Sequence, residues 1–430
     1  MGELVDARTA AQRLGVDVRS LYAYVSRGSL RRVPGPDGRS SRYDSDELEL
    51  LARRSRPRTL PRPAASIDLV IATRVSTVSD GVVRYRGKDV LELVAAGEPF
   101  ERVADLLWRS STPGTGWPGP APGSELPGSL RPGTASGVPV LHRFAIAVAA
   151  LPASAGPATA APGSADWPDA PDWPGWGRRI VTCLIAAGMA APVAREGAPG
   201  PPHASPGMPA GAPPGASPDS SDAGFVARQL WQRWSPLRAT GSRVRALNAA
   251  LVLLAEHELA LSTLAVRVAA SARAMPAACV LAGLSTLSGS LHGGASRTVH
   301  EMLLEQARGR TPAGAPERAG SVRAGFGHSV HAHGDPRAAP LLDAVYAFAR
   351  PSDRDLIQRA RAGRPAPPNV DFALGALAYC ARMPAEAATA IFAIARTAGW
   401  IAHAAEEYDE PPIRFRGRAL RWDQSRRRRG

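Results

Sequence analysis

Two short stretches late in the chain decide the fold: GFGHSVHAHGDPR, residues 325–337, and PPNVDF, residues 367–372. Each places charged or imidazole side chains beside glycine or proline, within sequence that is otherwise apolar and helical in pattern. Glycine lets the backbone approach a ligand closely, whereas an aspartate just before a helix is usually only a cap. Either stretch alone is weak evidence of a functional site, so the other stretches of the same kind in the chain matter.

Two further stretches belong to the same set. Glu256-His257-Glu258 comes shortly before Ser262-Thr263, and LHGGA at residues 291–295 places His292 before two glycines. Arginines bind carboxylates through paired, charge-assisted hydrogen bonds. A carboxylate can remove a proton from a carbon acid, while imidazoles stabilise the enol and polarise a carbonyl. Histidines, an aspartate and several arginines together therefore favour condensation of an activated acyl group with an oxo acid.

In this order the four stretches resemble the motifs of the citrate synthase family, over about residues 66–108 and 243–418. The resemblance implies a mainly α fold with a large and a small domain, and a homodimer. It also implies condensation of oxaloacetate with an acyl-CoA, which is a co-substrate and leaves as free CoA. No cofactor or metal would be bound permanently. Acetyl-CoA is the default donor, and propionyl-CoA, which would give 2-methylcitrate, stays open.

The resemblance also implies roles for single residues. Asp371 would remove the α-proton of the acyl-CoA, His292 would stabilise the enol(ate), and His328 would polarise the oxaloacetate carbonyl. An arginine from the partner subunit would complete the substrate site, with Arg414 the first candidate and Arg416 or Arg418 the alternatives. The expected oxaloacetate-binding residues are His257, Arg337, Arg396 and Arg414.

The chain departs from the family motifs at two places. Ser296 and Arg297 stand after LHGGA, where the family often has Asn and Glu. Between His328 and Asp335 the family often carries a Lys or Arg that meets CoA phosphate. Here that stretch holds His331 and His333, either of which could serve instead. No residue is therefore assigned to CoA.

The first 54 residues have a different pattern. AAQRLGV at residues 10–16 and SLYAYVSRG at residues 20–28 predict two short helices joined by a tight turn. Residues 34–43 then predict a hairpin wing, and a third helix would run to Leu51. The order resembles MerR-like and excisionase-like helix-turn-helix domains. That resemblance implies DNA contacts by Arg19, Ser20, Tyr22, Arg27, Arg39 and Arg42.

The expected organisation is a helix-turn-helix domain at 1–54, a basic linker at 55–65 and a citrate synthase-like domain at 66–430. Within the last, a small substrate-closing domain would cover roughly residues 260–370. Segments rich in Pro and Gly cannot bury enough apolar area to offset their ordering entropy. They predict insertions near residues 110–140, 152–178 and 195–222.

Charge and cysteine content bound the function less tightly. A net charge of +14 is consistent with a polyanionic partner. An arginine-rich composition, however, produces the same positive charge in a protein without such a partner. Three widely spaced cysteines indicate no disulfide framework and favour a reducing cytoplasm. The sequence predicts neither a signal peptide nor a membrane span.

A second interpretation combines the two resemblances. The chain would be a metabolite-sensing regulator that binds oxaloacetate or CoA through its synthase-like part and DNA through its front domain. Closure around a ligand would supply the two states that such a switch requires. A third interpretation gives residues 4–54 only a role in anchoring oligomers or partner proteins.

Overall fold

The chain divides into two compact units, Met1–Ile71 and Ala72–Gly430. The computed structural model describes residues 4–14, 25, 30–35, 40–44, 48, 69–79, 81–113, 117, 137–151, 171–188, 224–310, 324–328, 330–331 and 334–416.

The first unit holds a small antiparallel sheet beside one helix. Its elements are β1 (Leu4–Asp6), α1 (Ala7–Leu14), β2 (Val33–Pro34) and β3 (Ser41–Asp44), and the strand order is β1-β3-β2. Strands β2 and β3 form a hairpin where the wing is expected. Tyr43 is fully buried on the central strand, among the apolar side chains of Val5, Leu30 and Leu48.

The helix that would enter DNA lies outside the described residues, as do Arg19, Ser20, Tyr22, Arg27 and Arg39. Arg42 lies on β3, where its Nη1 donates to the Leu4 carbonyl at 3.4 Å. A helix-turn-helix arrangement and its DNA contacts therefore stay predictions.

A second three-stranded sheet opens the larger unit. It consists of β4 (Ser76–Ser79), β5 (Val82–Tyr85) and β6 (Lys88–Asp89). The hairpin between β4 and β5 turns at Gly81, and the sequence Asp80-Gly81 is a dipeptide typical of hairpin turns. The Tyr85 hydroxyl donates to the carbonyl of Glu256 at 2.9 Å and accepts from its N–H at 3.2 Å. The strand is thereby fixed to the backbone just before His257.

The rest of the larger unit is helical. Its helices in the described part are α2 (Val90–Ala95), α3 (Phe100–Trp108), α4 (Val140–Ala149), α5 (Trp173–Ala187), α6 (Phe225–Trp234), α7 (Gly241–Leu254), α8 (Leu261–Ser271), α9 (Pro276–Leu287), α10 (Ala295–Ala307), α11 (Ala338–Tyr346), α12 (Pro351–Arg361), α13 (Val370–Cys380) and α14 (Glu386–Tyr408).

Helix α14 is the centre of this unit. Its 23 residues span about 34 Å at 1.5 Å per residue. It packs against α3, α4, α5, α7, α8, α9, α10 and α13, so it is buried nearly all round. Many of its positions are alanine, which allows neighbouring helices to approach closely. The same helix carries Arg396 into the middle of the unit.

Helix α5 begins within one of the expected insertions. It starts at Trp173, although residues 152–178 read as low-complexity sequence. Pro174 is compatible with the first helical turn, where no intrahelical N–H is needed. Asp172 caps the turn by accepting from Gly175 N at 3.1 Å, and Trp176 is buried. The Trp and Pro content that suggested an insertion is therefore part of a packed helix start.

No helix in the described ranges is long and apolar enough to cross a membrane.

Candidate active site

The loop that carries His328 is held against the segment before α13 by two backbone hydrogen bonds. Gly327 N donates to the Pro367 carbonyl at 2.9 Å, and Asn369 N donates to the Gly325 carbonyl at 3.0 Å. Gly325 and Gly327 have φ angles of +84° and +72°, which glycine adopts without strain. The two stretches that decide the fold in sequence are thus paired directly in space.

A buried ion pair strengthens this junction. Asp335 accepts from Arg337 Nε at 2.9 Å and Nη2 at 3.0 Å, and also from the backbone N–H of Val370 at 2.9 Å. Burial alone would raise the pKa of Asp335, but Arg337 and the hydrogen bonds hold it at about 2. Asp335 therefore stays ionised and fixes the direction in which the Arg337 guanidinium lies.

Asp371 lies in the first turn of α13, behind an asparagine cap. Asn369 Oδ1 accepts from the N–H of Asp371 at 3.0 Å and of Phe372 at 3.2 Å. Burial raises the pKa of Asp371, while the charge of Arg337 and a hydrogen bond from the Ser296 hydroxyl favour its anion. The side chain keeps partial access to solvent. It is thus a carboxylate with a strengthened affinity for a proton.

Three imidazoles form a tight group next to Arg337. His257 Nε2 lies 3.0 Å from His331 Nε2, and both side chains are buried. The ring centroids of His257 and His328 are 5.1 Å apart, and those of His328 and His331 are 4.8 Å apart. His331, an open candidate for CoA phosphate in the sequence, therefore lies among the expected oxaloacetate residues.

The hydrogen bonds of His328 define its tautomer. Its Nδ1 accepts from the backbone N–H of Val330 at 3.1 Å and of His331 at 3.3 Å. The ring proton of the neutral imidazole must therefore lie on Nε2. That nitrogen is 3.4 Å from Arg337 Nη2, so two donors converge on one place. Burial and the charge of Arg337 lower the pKa of His328 to about 4.

His292 lies in the turn between α9 and α10. Its Nε2 is 2.9 Å from Ser262 Oγ at the start of α8. A Cβ on Gly293 would lie 2.1 Å from the Leu287 carbonyl oxygen, so only glycine fits the tight turn that carries the imidazole. Burial, then the charge of Arg396, lowers the pKa of His292. The bond to Ser262 engages Nε2, whereas Nδ1 has no hydrogen-bond partner among the described residues.

Arg396 brings a buried positive charge into the site from α14. Its Nε donates to the Leu254 carbonyl at 3.0 Å, and the guanidinium lies 4.8 Å from the ring centroid of Phe392. Within the described ranges its guanidinium has no ion-pair partner. An arginine stays charged even when buried, so this group can bind a substrate carboxylate.

A buried polar network lies behind His257. Arg267 Nη1 donates to His403 Nδ1 at 2.9 Å, so the His403 ring proton lies on Nε2, which bonds Glu256 Oε1 at 3.1 Å. Arg267 also pairs with Glu406 and Glu407, each at 2.8 Å. Because Glu256 directly precedes His257 in the chain, this network fixes the backbone that carries the imidazole.

Arg414 is held by its own chain rather than by the histidine group. Its Nε and Nη2 lie 2.5 Å and 2.6 Å from the two carboxylate oxygens of Glu407, and 28% of its side chain is exposed. Arg416 is also exposed, and Arg418 lies outside the described residues. A contribution of Arg414 to a partner subunit stays a prediction.

The expected site residues of one chain fall into a single group. The loop carrying His328, the Asp335–Arg337 pair and the start of α13 are hydrogen-bonded together, and His257 packs on His328. Arg396 acts electrostatically on both His257 and His292. The residues brought together are His257, His292, His328, Arg337, Asp371 and Arg396.

Three contributing residues were not assigned from the sequence. Ser296 and His331 stand at the two places where the chain departs from the family motifs. Those departures are the sequence signal that could have identified them. His403 lies two helical turns after Arg396 on α14, and that spacing puts both on one face. The sequence does not show that this face of the helix meets the segment at Glu256, so His403 could not be assigned from it.

Residues 203–416 match the family described as citrate synthase, C-terminal domain. The family match covers the whole site described above.

Among the described residues, no group of His, Cys, Asp and Glu side chains has the arrangement of a metal site.

Solved citrate synthase structures have a similar fold. One is the ternary complex of carboxymethyl coenzyme A and oxaloacetate with citrate synthase from Thermoplasma acidophilum. It has a TM-score of 0.56 and 21% identity, and the match covers 83% of this chain and 94% of that one. Another is citrate synthase from Pyrobaculum aerophilum, with a TM-score of 0.53, 22% identity and coverage of 84% and 93%. The larger unit therefore has a citrate synthase fold.

Proposed function

We propose that the protein condenses an acyl-CoA with oxaloacetate and releases CoA. The observation that carries the proposal is the grouping of a carboxylate and two imidazoles around the buried arginines Arg337 and Arg396. Both arginines act on Asp371, Arg396 acts on His292, and Arg337 acts on His328. A carbon acid needs a base, a donor for the enolate oxygen and an electrophile activated by hydrogen bonding. Asp371, His292 and His328 supply these three groups.

In the first step, Asp371 removes the α-proton of the acyl thioester. Its raised pKa makes it a stronger base, and the nearby charges of Arg337 and Arg396 keep the anion populated. The enolate oxygen is stabilised by His292, whose Nδ1 is left free by the bond between Nε2 and Ser262.

In the second step, the enolate carbon attacks the oxo carbon of oxaloacetate. The Nε2–H of His328 polarises that carbonyl and then gives its proton to the new alkoxide, because the hydrogen bonds at Nδ1 place the proton on Nε2. Arg337, Arg396 and His257 hold the oxo acid carboxylates. Hydrolysis of the thioester then releases free CoA and a citrate-type product.

Acetyl-CoA is the donor that we propose, with propionyl-CoA as the competitor. The test follows release of the CoA thiol after adding oxaloacetate to purified full-length protein, with acetyl-, propionyl- and butyryl-CoA in parallel. Turnover that requires oxaloacetate supports the condensation, and the donor with the highest kcat/KM names the reaction. Absence of turnover with all three donors would overturn it.

We also propose a cytoplasmic homodimer in which Arg414 completes the partner's substrate site. Arg414 lies beyond the end of α14, partly exposed, with its guanidinium already oriented by Glu407. In the dimer this guanidinium would exchange part of its pairing with Glu407 for a carboxylate of the bound substrate. Activity that rises with protein concentration in the range of dimer formation would support shared sites.

A DNA-binding sensor is the second candidate function. It is supported by the separate front unit, in which Arg31 and Arg32 are exposed just before β2. The observable is the affinity of the full chain for duplex DNA as salt is raised, because phosphate contacts make log K fall linearly with log salt. Binding that responds to oxaloacetate, in a protein without turnover, would favour the sensor over the enzyme.

A further inference from the structure

The contact between His257 and His331 is unusual chemistry for a substrate site. The two Nε2 atoms face each other at 3.0 Å, and each side chain is more than nine-tenths buried. Two neutral imidazoles in this geometry share one proton, since one ring nitrogen must donate and the other accept. The backbone of His331 is held by its N–H, which donates to His328 Nδ1 at 3.3 Å.

Two positive groups and one negative group face the pair. Arg337 and Arg396 act on His257, whereas at His331 Asp335 favours the protonated ring and Arg337 opposes it. Asp335 is itself paired with Arg337 and accepts from Val370 N. While an anion is absent the pair is therefore neutral, with one proton between the two Nε2 atoms and the other on Nδ1 of the accepting ring. Burial lowers the pKa of both rings, and the two arginines lower that of His257 further.

We propose that His331 is a substrate-binding residue that, together with His257, takes up one proton when a dicarboxylate oxo acid binds. This inference rests on the proposed function and specifies how its oxo-acid site works. The dianion brings negative charge next to both rings. The accepting ring keeps its proton on Nδ1, takes up one proton from solvent on Nε2 and becomes an imidazolium. Both Nε2–H groups can then donate to the ligand.

Proton uptake on binding determines the direction in which the affinity for the oxo acid changes with pH. Ligand binding raises the pKa of the pair above its value in the free protein. Affinity is therefore fully present below the free-state pKa and is lost as the pH rises through the pKa of the complex. Over that interval the KM for the oxo acid increases about tenfold per pH unit for one proton.

The test measures proton uptake on binding oxaloacetate by calorimetry of the full-length protein in buffers of different ionisation enthalpy. The variants are His331→Asn, which keeps a neutral donor but cannot be protonated, and His331→Leu, which removes the donor. His142→Asn is the control, because His142 is an exposed histidine on α4 outside the cluster. Initial-rate KM for oxaloacetate across pH is measured on the same proteins.

Wild type and His142→Asn should take up about one proton per ligand. His331→Asn should bind with markedly less uptake and a flatter KM–pH profile, and His331→Leu should raise KM by about ten- to a hundredfold. Binding of oxaloacetate by wild type without uptake, or equal uptake in His331→Asn, would overturn the inference while turnover upholds the enzyme. Wild type that neither binds nor turns over oxaloacetate would overturn both.

Discussion

Gly399 is where α14 comes closest to the segment before His257, and its replacement by alanine should be costly. Its backbone N–H donates to the Ala255 carbonyl at 3.0 Å. An added Cβ would lie 1.9 Å from Glu256 Oε2 and 2.7 Å from the Ala255 carbonyl oxygen. Glu256 cannot swing aside, because it is fully buried and bonded to His403 and Ser76.

Two opposing effects determine how much Gly399→Ala changes the free energy of unfolding. Overpacking of a filled interior costs about 1–3 kcal/mol, and two contacts far below van der Waals distance put this site at the upper end. Replacing glycine within a helix returns up to about 1 kcal/mol of helix propensity. We therefore expect Gly399→Ala to lower the free energy of unfolding by about 2 kcal/mol.

The assay is urea unfolding of the full-length protein, with the free energy extrapolated to water. Gly241→Ala is the matched control: Gly241 is the first residue of α7, and its Cβ would meet only the flexible end of Arg245. The control should be as stable as wild type or more stable. Gly399→Ala with wild-type stability would refute the close packing of α14 against Glu256, and with it the account of how His257 is held.

Three further predictions concern the chemistry. Ser296→Ala should move the acidic limb of kcat/KM to higher pH, because the lost hydrogen bond favours the Asp371 anion; an unchanged pH profile would show that this bond is unimportant in catalysis. Arg396→Gln should raise the KM for oxaloacetate by about tenfold or more with a smaller effect on the acyl-CoA KM, and equal effects on both would contradict its assignment. Mixing the inactive variants Arg414→Ala and Asp371→Asn should restore part of the activity, since a heterodimer keeps one intact site; no recovery after subunit exchange would exclude Arg414 as the shared arginine.

The candidate site residues could be selected from the sequence because they lie in short stretches with distinctive content, and the structure brings those of one chain together. The glycines around Phe326 and the asparagine cap before Asp371 have local consequences that follow from backbone chemistry. The hairpin at Gly81 and the buried helix carrying Arg396 are likewise local or periodic signals. Such features can be predicted because the groups that determine them are near one another in the chain.

The parts that sequence did not assign depend on contacts between distant segments. The bond of His403 to Glu256 joins residues 147 positions apart, and that of His331 to His257 joins residues 74 apart. Nothing in the local sequence of either partner specifies the other. The start of α5 was obscured for another reason, because proline and tryptophan near Trp173 are common in loops and yet fit the first turn of a buried helix.

Asp371 is the proposed base of the condensation, and the decisive test of that role is kcat for CoA release by Asp371→Asn. The amide is nearly isosteric and leaves the cap at Asn369 in place, so folding should be preserved. Asp343→Asn, an exposed aspartate on α11, is the control. We predict a loss of at least about a hundredfold in Asp371→Asn and wild-type turnover in the control. Turnover within a fewfold of wild type in Asp371→Asn would contradict the account.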